Sequence, residues 1–168
     1  MPATIREYDA SSDLEGCREL WRHLTQRHRD IYEDQTIGGD DPGPYFDEHY
    51  LPDDKPAKLW VAELDGELVG LCGLLLKDGG AELEPIVVLD GERNAGIGSQ
   101  LAQTAISEAE RLRVSAIVVR PVGRNDKAIR FFHREGFDVL DRVELAKQIS
   151  RSTAPIGATE MHGRTFSY

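Results

Sequence analysis

The chain has 168 residues, 40% of them apolar, and a formal net charge of −10. This length suits a single domain over residues 1–168 with a sizeable core, and the apolar content argues against disorder. The negative charge argues against nucleic acid as the main partner and suits a cationic small molecule or peptide. No apolar run is long enough to span a membrane and no secretion leader is recognised, so we expect a cytoplasmic protein without a membrane partner. Cys17 and Cys72 have no nearby Cys or His, which predicts neither a disulfide framework nor a metal site.

The first part of the chain predicts one strand and one helix. Residues 3–8 alternate well enough for a β-strand. Ser12 and Glu15 have the spacing of a capping box, and the apolar side chains that follow recur at helical spacing. We therefore expect a helix over residues 13–29, with His28 at its end rather than in a ligand set.

Residues 30–54 form an acidic stretch with nine carboxylates and no Lys or Arg. Gly and Pro residues break up regular structure in this stretch, and one short helix is expected over residues 44–50. Two interpretations stay open. Charge runs are usually solvated surface loops, whereas long loops in compact domains are often functional, here as an acidic lid over the substrate side of a site. In the second case the aromatic side chains of the stretch are the candidate substrate contacts: Tyr32, Tyr45, Phe46 and Tyr50.

Residues 58–89 predict an antiparallel meander that leads into a glycine loop. Asp65-Gly66 is a hairpin signal between strands at 58–64 and 67–77, and a turn at 78–80 begins a third strand. The loop has the sequence Arg93-Asn94-Ala95-Gly96-Ile97-Gly98 and opens an amphipathic helix that ends near residue 113. Free N–H groups at a helix start bind phosphate, glycine lets the ligand approach the backbone, and arginine adds a cation. Taken alone, such a loop is more often a turn that binds nothing.

The rest of the chain predicts further alternation of strands and helices. Residues 114–119 indicate a buried strand, and Asn125 caps a helix that stops at Gly136. Another strand is expected over residues 137–143, and residues 150–168 are either a tail or a closing strand. Hairpins mixed with crossover helices favour a single-domain α/β fold with a mixed, mostly antiparallel central sheet.

Two motifs in this order resemble those of the GNAT-type N-acetyltransferase superfamily. The first is a strand that ends at Val88 and is followed by Arg93, Gly96 and Gly98. The second consists of Asn125, Ala128, Phe131, Phe132, Gly136 and Phe137. The meander before the first motif and the buried strand between the two also match, so the resemblance covers residues 58–143 well. A P-loop would need Gly-Lys-Ser/Thr after Gly98, and a dinucleotide-binding unit would need a parallel βαβ entry near the N-terminus, whereas a meander precedes this loop.

The resemblance implies acetyl-coenzyme A (acetyl-CoA) as cosubstrate and no metal. It also implies helices on both faces of the sheet and a splay between the fourth and fifth strands, which the cosubstrate fills. The pyrophosphate would bind N–H groups of the glycine loop, the pantetheine arm would pair with the strand edge, and the second motif would line the far side. The implied cofactor-binding residues are Ile86, Val87, Val88, Arg93, Asn94, Ala95, Gly96, Ile97, Gly98, Ser99, Asn125, Ala128 and Phe132.

The resemblance further implies direct attack by a primary amine, small molecule or peptide, on the acetyl group. Glu84 lies where many family members keep a base, and burial there would raise its pKa. The alternative is that Glu84 neutralises a substrate cation or faces solvent. Glu82 shares its face by period-two alternation and is the second candidate, as a substrate contact. The backbone N–H of Val88 is the candidate oxyanion donor.

One position departs from the family pattern. The family often uses a Tyr as acid toward the leaving sulfur, and Phe132 stands there instead. Either the thiolate leaves unprotonated or Tyr45, Tyr50 or Tyr168 supplies the proton. Phe132 also leaves open a non-catalytic acyl-CoA-binding or regulatory domain, and a longer acyl donor is a third alternative. The sequence determines neither the acceptor nor the oligomeric state, since a closing strand is compatible with exchange in a homodimer.

Overall fold

The structure is a computed structural model that describes residues 2–52, 57–77, 79–147, 149 and 157–167. The chain divides into two compact units, Met1–Val119 and Arg120–Tyr168. The elements of the first unit are β1 (Thr4–Glu7), α1 (Leu14–Tyr32), α2 (Tyr45–Tyr50), β2 (Ala57–Leu64), β3 (Glu67–Lys77), β4 (Gly80–Val88), a 3₁₀ turn (Asp90–Glu92), α3 (Ile97–Arg111) and β5 (Ile117–Val118). None of the helices among the described residues has the length and apolar character needed to cross a membrane.

The first unit contains a five-stranded sheet in the order β1-β2-β3-β4-β5. The first three neighbouring pairs are antiparallel and the β4–β5 pair is parallel. Asp65 and Gly66 both have positive φ, 52° and 88°, which matches a two-residue turn between β2 and β3. A parallel pair needs a crossover, and α3 provides it. The predicted mixed, mostly antiparallel sheet is confirmed.

β4 pairs with β5 over a short stretch only. Ala81 lies opposite Ile117 and Glu82 opposite Val118, while β4 continues to Val88. Among the described residues, the edge of β4 beyond Glu82 therefore has no strand partner, as the predicted splay between the fourth and fifth strands requires.

A β-bulge interrupts β4 near its middle. Leu74 pairs with Leu83 and Cys72 with Ile86, so Glu84 and Pro85 both lie opposite Gly73. A Cβ on Gly73 would collide with the carbonyl oxygen of Glu84. Glycine is required on β3 because the bulged backbone occupies the space of a side chain.

Helices cover both faces of this sheet. α1 and α2 pack on one face around the buried cluster Cys17, Leu20, Phe46, Tyr50, Leu59, Val61, Leu71 and Val87. α3 packs on the other face, where a Cβ on Gly70 would lie 3.0 Å from Leu101 and 3.2 Å from Ala62. Gly70 and Leu71 point to opposite faces because neighbouring strand residues alternate.

The start of α1 differs from the expected capping box. The residue before the helix is Asp13, and its carboxylate accepts hydrogen bonds from Arg6 Nη1 at 2.6 Å and from the Asp9 N–H at 2.8 Å. Glu15 instead pairs with Arg18 and Arg22. The predicted capping box of Ser12 and Glu15 is therefore wrong. Asp13, held by Arg6 of β1, is the residue at the helix start, and Glu15 is engaged by arginines of α1.

The second unit contains α4 (Asp126–Arg134), β6 (Ala158–Met161) and β7 (Arg164–Ser167). β6 and β7 pair with each other as a separate two-stranded sheet, so the predicted closing strand is a hairpin. The strand predicted over residues 137–143 is wrong. The described chain has no strand there, and Val139 is 85% exposed. Alternation alone does not form a strand without a pairing partner.

Candidate active site

The outer edge of β4 is the first component of the site. Leu89 N–H donates to the Val69 carbonyl at 2.9 Å, and antiparallel pairing alternates hydrogen-bonded with non-bonded residues. Val87 and Leu89 therefore bond to β3, whereas the peptide groups of Ile86 and Val88 are directed to the opposite edge. That is the edge where β5 pairs only at Ala81 and Glu82 within the described residues.

The glycine loop and the start of α3 are the second component. Asn94 and Gly96 have positive φ, 65° and 84°, a conformation in which glycine carries no steric cost. The first helical bond runs from the Gln100 N–H to the Gly96 carbonyl, so the N–H groups of Ile97 and Gly98 lie ahead of it. The first turn of α3, which is fully described, contains no acidic residue. The positive end of the helix dipole is thus left uncompensated by side chains of that turn.

Arg93 joins these two components. Its Nε donates to the Val88 carbonyl at 3.1 Å, and its Nη1 lies 2.9 Å from Asp90 Oδ1. Burial, and then the charge of Arg27, lower the pKa of Arg93, while Asp90 acts in the opposite direction. The guanidinium is held at the end of β4, next to the loop.

The two carboxylates of β4 differ in exposure. Glu82 is 3% exposed and pairs with Lys77, whereas the Glu84 side chain is exposed. The exposure of Glu84 matches the alternative in which its side chain faces solvent, and its role as a base stays a prediction. Glu82 is opposite Leu75, which packs against the α1–α2 cluster, so Glu82 belongs to that face of the sheet.

Tyr50 brings a hydroxyl to these carboxylates. The side chain is 4% exposed and packs against Trp21 and Phe46, with ring centroids 5.5 and 5.7 Å away. Its buried hydroxyl faces Glu84 in a contact that falls short of full hydrogen-bond geometry. Burial is the largest cause of the raised pKa of Tyr50, and the charge of Glu84, the hydroxyl–carboxylate contact and the charge of Glu82 follow in that order. The hydroxyl stays protonated.

The acidic stretch is partly neutralised by α1. Arg18 Nε donates to Asp47 at 3.0 Å, and Arg22 Nε donates to Asp41 at 2.8 Å. These contacts favour the surface-loop interpretation for both aspartates. Tyr45 is 46% exposed, and its role in a lid stays a prediction. Tyr32 lies half-buried at the end of α1; its contact with substrate is likewise a prediction.

The residues of the second motif have local roles in the second unit. The Asn125 side chain accepts a hydrogen bond from the Ala128 N–H at 3.1 Å and caps α4 as predicted. Phe132 is 8% exposed and packs edge-on against Phe131 and Phe137. Their contact with a cofactor stays a prediction. Tyr168, one of the candidate acids, lies outside the described residues.

Sequence reasoning missed Arg27 and Lys77. Arg27 continues the apolar stripe of α1 that runs through Leu20 and Leu24, at a position where an apolar residue is expected. A cation in such a stripe was the available signal. Lys77 closes β3 and carried no comparable signal, because its pairing with Glu82 depends on the turn between two strands.

Comparison with known proteins identifies relatives of the chain. The model of the acetyltransferase (GNAT) family matches residues 18–137, which is more than half of the chain. A search of the curated proteins finds no match.

Three solved structures share this fold. An acetyltransferase of the GNAT family from Staphylococcus aureus Mu50 is 23% identical, with a TM-score of 0.67 over 89% of this chain and 92% of that one. AAC(6')-Iy in complex with the bisubstrate analog CoA-S-monomethyl-acetylneamine is 19% identical, with a TM-score of 0.65 over 89% of this chain and 100% of that one. Glucosamine-6-phosphate N-acetyltransferase from Arabidopsis thaliana is 16% identical, with a TM-score of 0.60 over 89% and 100%. At these identities the likeness shows the fold alone.

Proposed function

Because the chain belongs to the acetyltransferase (GNAT) family, we propose that it transfers the acetyl group of acetyl-CoA to a primary amine by direct attack. One observation carries the proposal. The open edge of β4 leads directly, through Arg93, to a helix start whose first turn carries no acidic side chain. A peptide-like arm that ends in a pyrophosphate matches this sequence of groups.

The described residues fit acetyl-CoA in two respects. The peptide groups of Ile86 and Val88 would hold the pantetheine arm in the manner of an added strand, and the N–H groups of residues 94–99 would hold the pyrophosphate. Acetyl-CoA supplies an acyl thioester that is activated toward nucleophiles. The Val88 N–H would stabilise the negative charge that develops on the acyl oxygen.

Glu84 is the proposed base for the amine. Its carboxylate is exposed and thus accessible to an arriving ammonium, whereas Glu82 is buried and engaged by Lys77. Glu84 would accept the amine proton directly or through water. Because Lys77 balances the buried Glu82, the exposed carboxylate of Glu84 is the group that favours a cationic acceptor.

Tyr50 is proposed to position Glu84. Its hydroxyl is buried and faces the carboxylate, and its raised pKa keeps it protonated as a donor. A hydrogen bond donated to a carboxylate favours the ionised form, which is the form that accepts a proton. In this proposal the thiolate leaves without a dedicated acid, in agreement with Phe132 at the position where the family often has Tyr.

The experiment measures release of free CoA thiol from acetyl-CoA with a panel of acceptors: a polyamine, an aminoglycoside, a basic amino acid and a peptide with a free amino terminus. We expect turnover with at least one cationic amine. Turnover with none of them, together with tight binding of CoA, would contradict the proposal. That result would support the alternative that Phe132 favours, a non-catalytic acyl-CoA-binding domain. Mass spectrometry of acyl-CoA retained by the purified protein distinguishes an acetyl donor from a longer one.

A further inference from the structure

Arg27 is a half-buried cation whose charge is unbalanced. Its guanidinium has no ion pair and no hydrogen bond within the described part of the chain. The neighbouring arginines of α1 are fully engaged. Arg22 bonds Asp41, and Arg29 donates to the Ile37 carbonyl at 2.9 Å and to the Gly39 carbonyl at 2.6 Å. Arg27 is therefore available for a ligand.

Arg93 lies at the side of α1 that carries His23 and Arg27, since Arg93 and His23 both face Asp90 and Arg27 follows His23 by one helical turn. The charge of Arg27 lowers the pKa of both Arg93 and the adjacent His28, although burial is the larger cause in each case. Asp90 is the carboxylate that pairs with Arg93, and it also lies 3.8 Å from His23 Nε2. One carboxylate balances only one of the two guanidinium charges. In a chain of net charge −10, this leaves a local excess of positive charge.

The position of the pair indicates what kind of anion it binds. Arg93 is fixed at the Val88 carbonyl, where β4 ends and the loop to α3 begins. The carboxylates proposed to contact the amine are at least four strand residues away, about 13 Å at 3.3 Å per residue. A diphosphate carries enough charge to balance two guanidiniums and offers paired oxygens to their forked donors.

We propose that Arg27 is a second phosphate-binding residue, which together with Arg93 and the N–H groups at the start of α3 binds the pyrophosphate of the acyl-CoA donor. The identity of the phosphate ligand rests on the proposed function. The contact comes from α1, an element that neither sequence motif includes.

Calorimetric binding of CoA, of phosphate-free pantetheine and of inorganic pyrophosphate tests this role. In Arg27→Gln we expect CoA and pyrophosphate to bind about 10- to 100-fold more weakly, the range for loss of a hydrogen bond to a charged group. Pantetheine should bind as to the wild type. Arg27→Lys keeps the positive charge but loses the forked guanidinium donors, so its affinity for CoA should lie between those of the wild type and Arg27→Gln.

Arg113→Gln is the matched control. It removes the same charge from an exposed site after the C-terminus of α3, about 22 Å along the helix from the loop. Its CoA affinity should equal that of the wild type, and unchanged melting temperatures for all three variants show that folding is retained.

Two results would overturn the proposal. Equal losses for CoA and pantetheine in Arg27→Gln would mean that Arg27 acts through packing. If the CoA affinity of Arg27→Gln were unchanged while its KM for the acceptor rose, Arg27 would instead bind an anionic group of the acceptor. The proposed function fails separately: a wild type that binds CoA but acetylates no amine refutes acetyl transfer, while the Arg27 variants still report on phosphate binding.

Discussion

The two ends of β4 carry opposite charges, and these charges are balanced differently. The carboxylate end, defined by Glu82 and Glu84, lies under α2, and its negative charge meets Lys77 and the Tyr50 hydroxyl. The buried carboxylate there is balanced by a side chain of the chain itself. Only Glu84 is left exposed for an incoming group.

The phosphate end, defined by Val88 and Arg93, has an excess of cation. Asp90 pairs with Arg93 there, Arg27 has no ion pair among the described residues, and the adjoining α3 start adds the positive end of a helix dipole. The difference between the ends indicates where external ligands are needed. Under the proposed function, a cationic amine would bind at one end and the pyrophosphate at the other, so one strand would orient two substrates of opposite charge.

The largest expected effect is at the carboxylate end. Glu84→Gln should lower kcat at neutral pH by about 10²- to 10⁴-fold, the contribution of a positioned general base. Binding of CoA should change little because the phosphate end is intact. Steady-state kinetics and calorimetry measure the two quantities. If Glu82→Gln lost more kcat than Glu84→Gln, the proposed roles of the two carboxylates would have to be exchanged.

The next effect is at the phosphate end. Gly98→Val should weaken CoA binding by at least about 100-fold, since a branched side chain would cover the N–H groups of the first turn of α3. Gly98→Ala should lose less, and both variants should melt near the wild-type temperature. If calorimetry gave an unchanged affinity for the valine variant, the pyrophosphate would have to bind elsewhere.

A third change tests what supports the carboxylate end. Gly73→Ala should destabilise the fold by about 1–3 kcal/mol, because its Cβ would meet the backbone of the bulge at Glu84. Urea denaturation measures this free energy of unfolding. Gly91→Ala is the matched control, since a Cβ there meets nothing within 4 Å, and it should change stability by less than about 0.5 kcal/mol. Equal stability of the two variants would contradict the close approach at Gly73.

The smallest expected effect is a shift in pH dependence. Tyr50→Phe keeps the ring in the core but removes the hydroxyl that faces Glu84. The hydroxyl favours the ionised carboxylate, so its loss should move the acid limb of the kcat/KM profile to higher pH by about one unit or less. Activity should recover at higher pH. A pH-independent loss of kcat would instead assign Tyr50 as the acid toward sulfur.

Local chemistry made much of the fold predictable. The Asp65-Gly66 turn, the amphipathic α1 and the glycine loop before α3 all depend on a few consecutive residues, and each is present in the structure. Asn125 caps α4 for the same reason.

The misses involve partners distant in sequence. Asp13 is held by Arg6, so a local capping box does not form. Residues 137–143 alternate in polarity but pair with no strand among the described residues. The bulge that places both Glu84 and Pro85 opposite Gly73 is not revealed by the sequence of β4 alone. Arg27 lay in an apolar stripe, and its unbalanced charge became apparent only beside Arg93.

The bulge shifts the alternation by which side chains of β4 face one side of the sheet or the other. Glu82 lies opposite Leu75 and Val87 opposite Leu71, so even-numbered side chains face α1 and α2 before the bulge and odd-numbered ones after it. A regular strand cannot present Glu82, Glu84 and Val87 on one face. Pairing the whole strand regularly, without the bulge, would send either the carboxylates or Val87 to the α3 face. The length of this strand is therefore as much a determinant of the site as the identity of its residues.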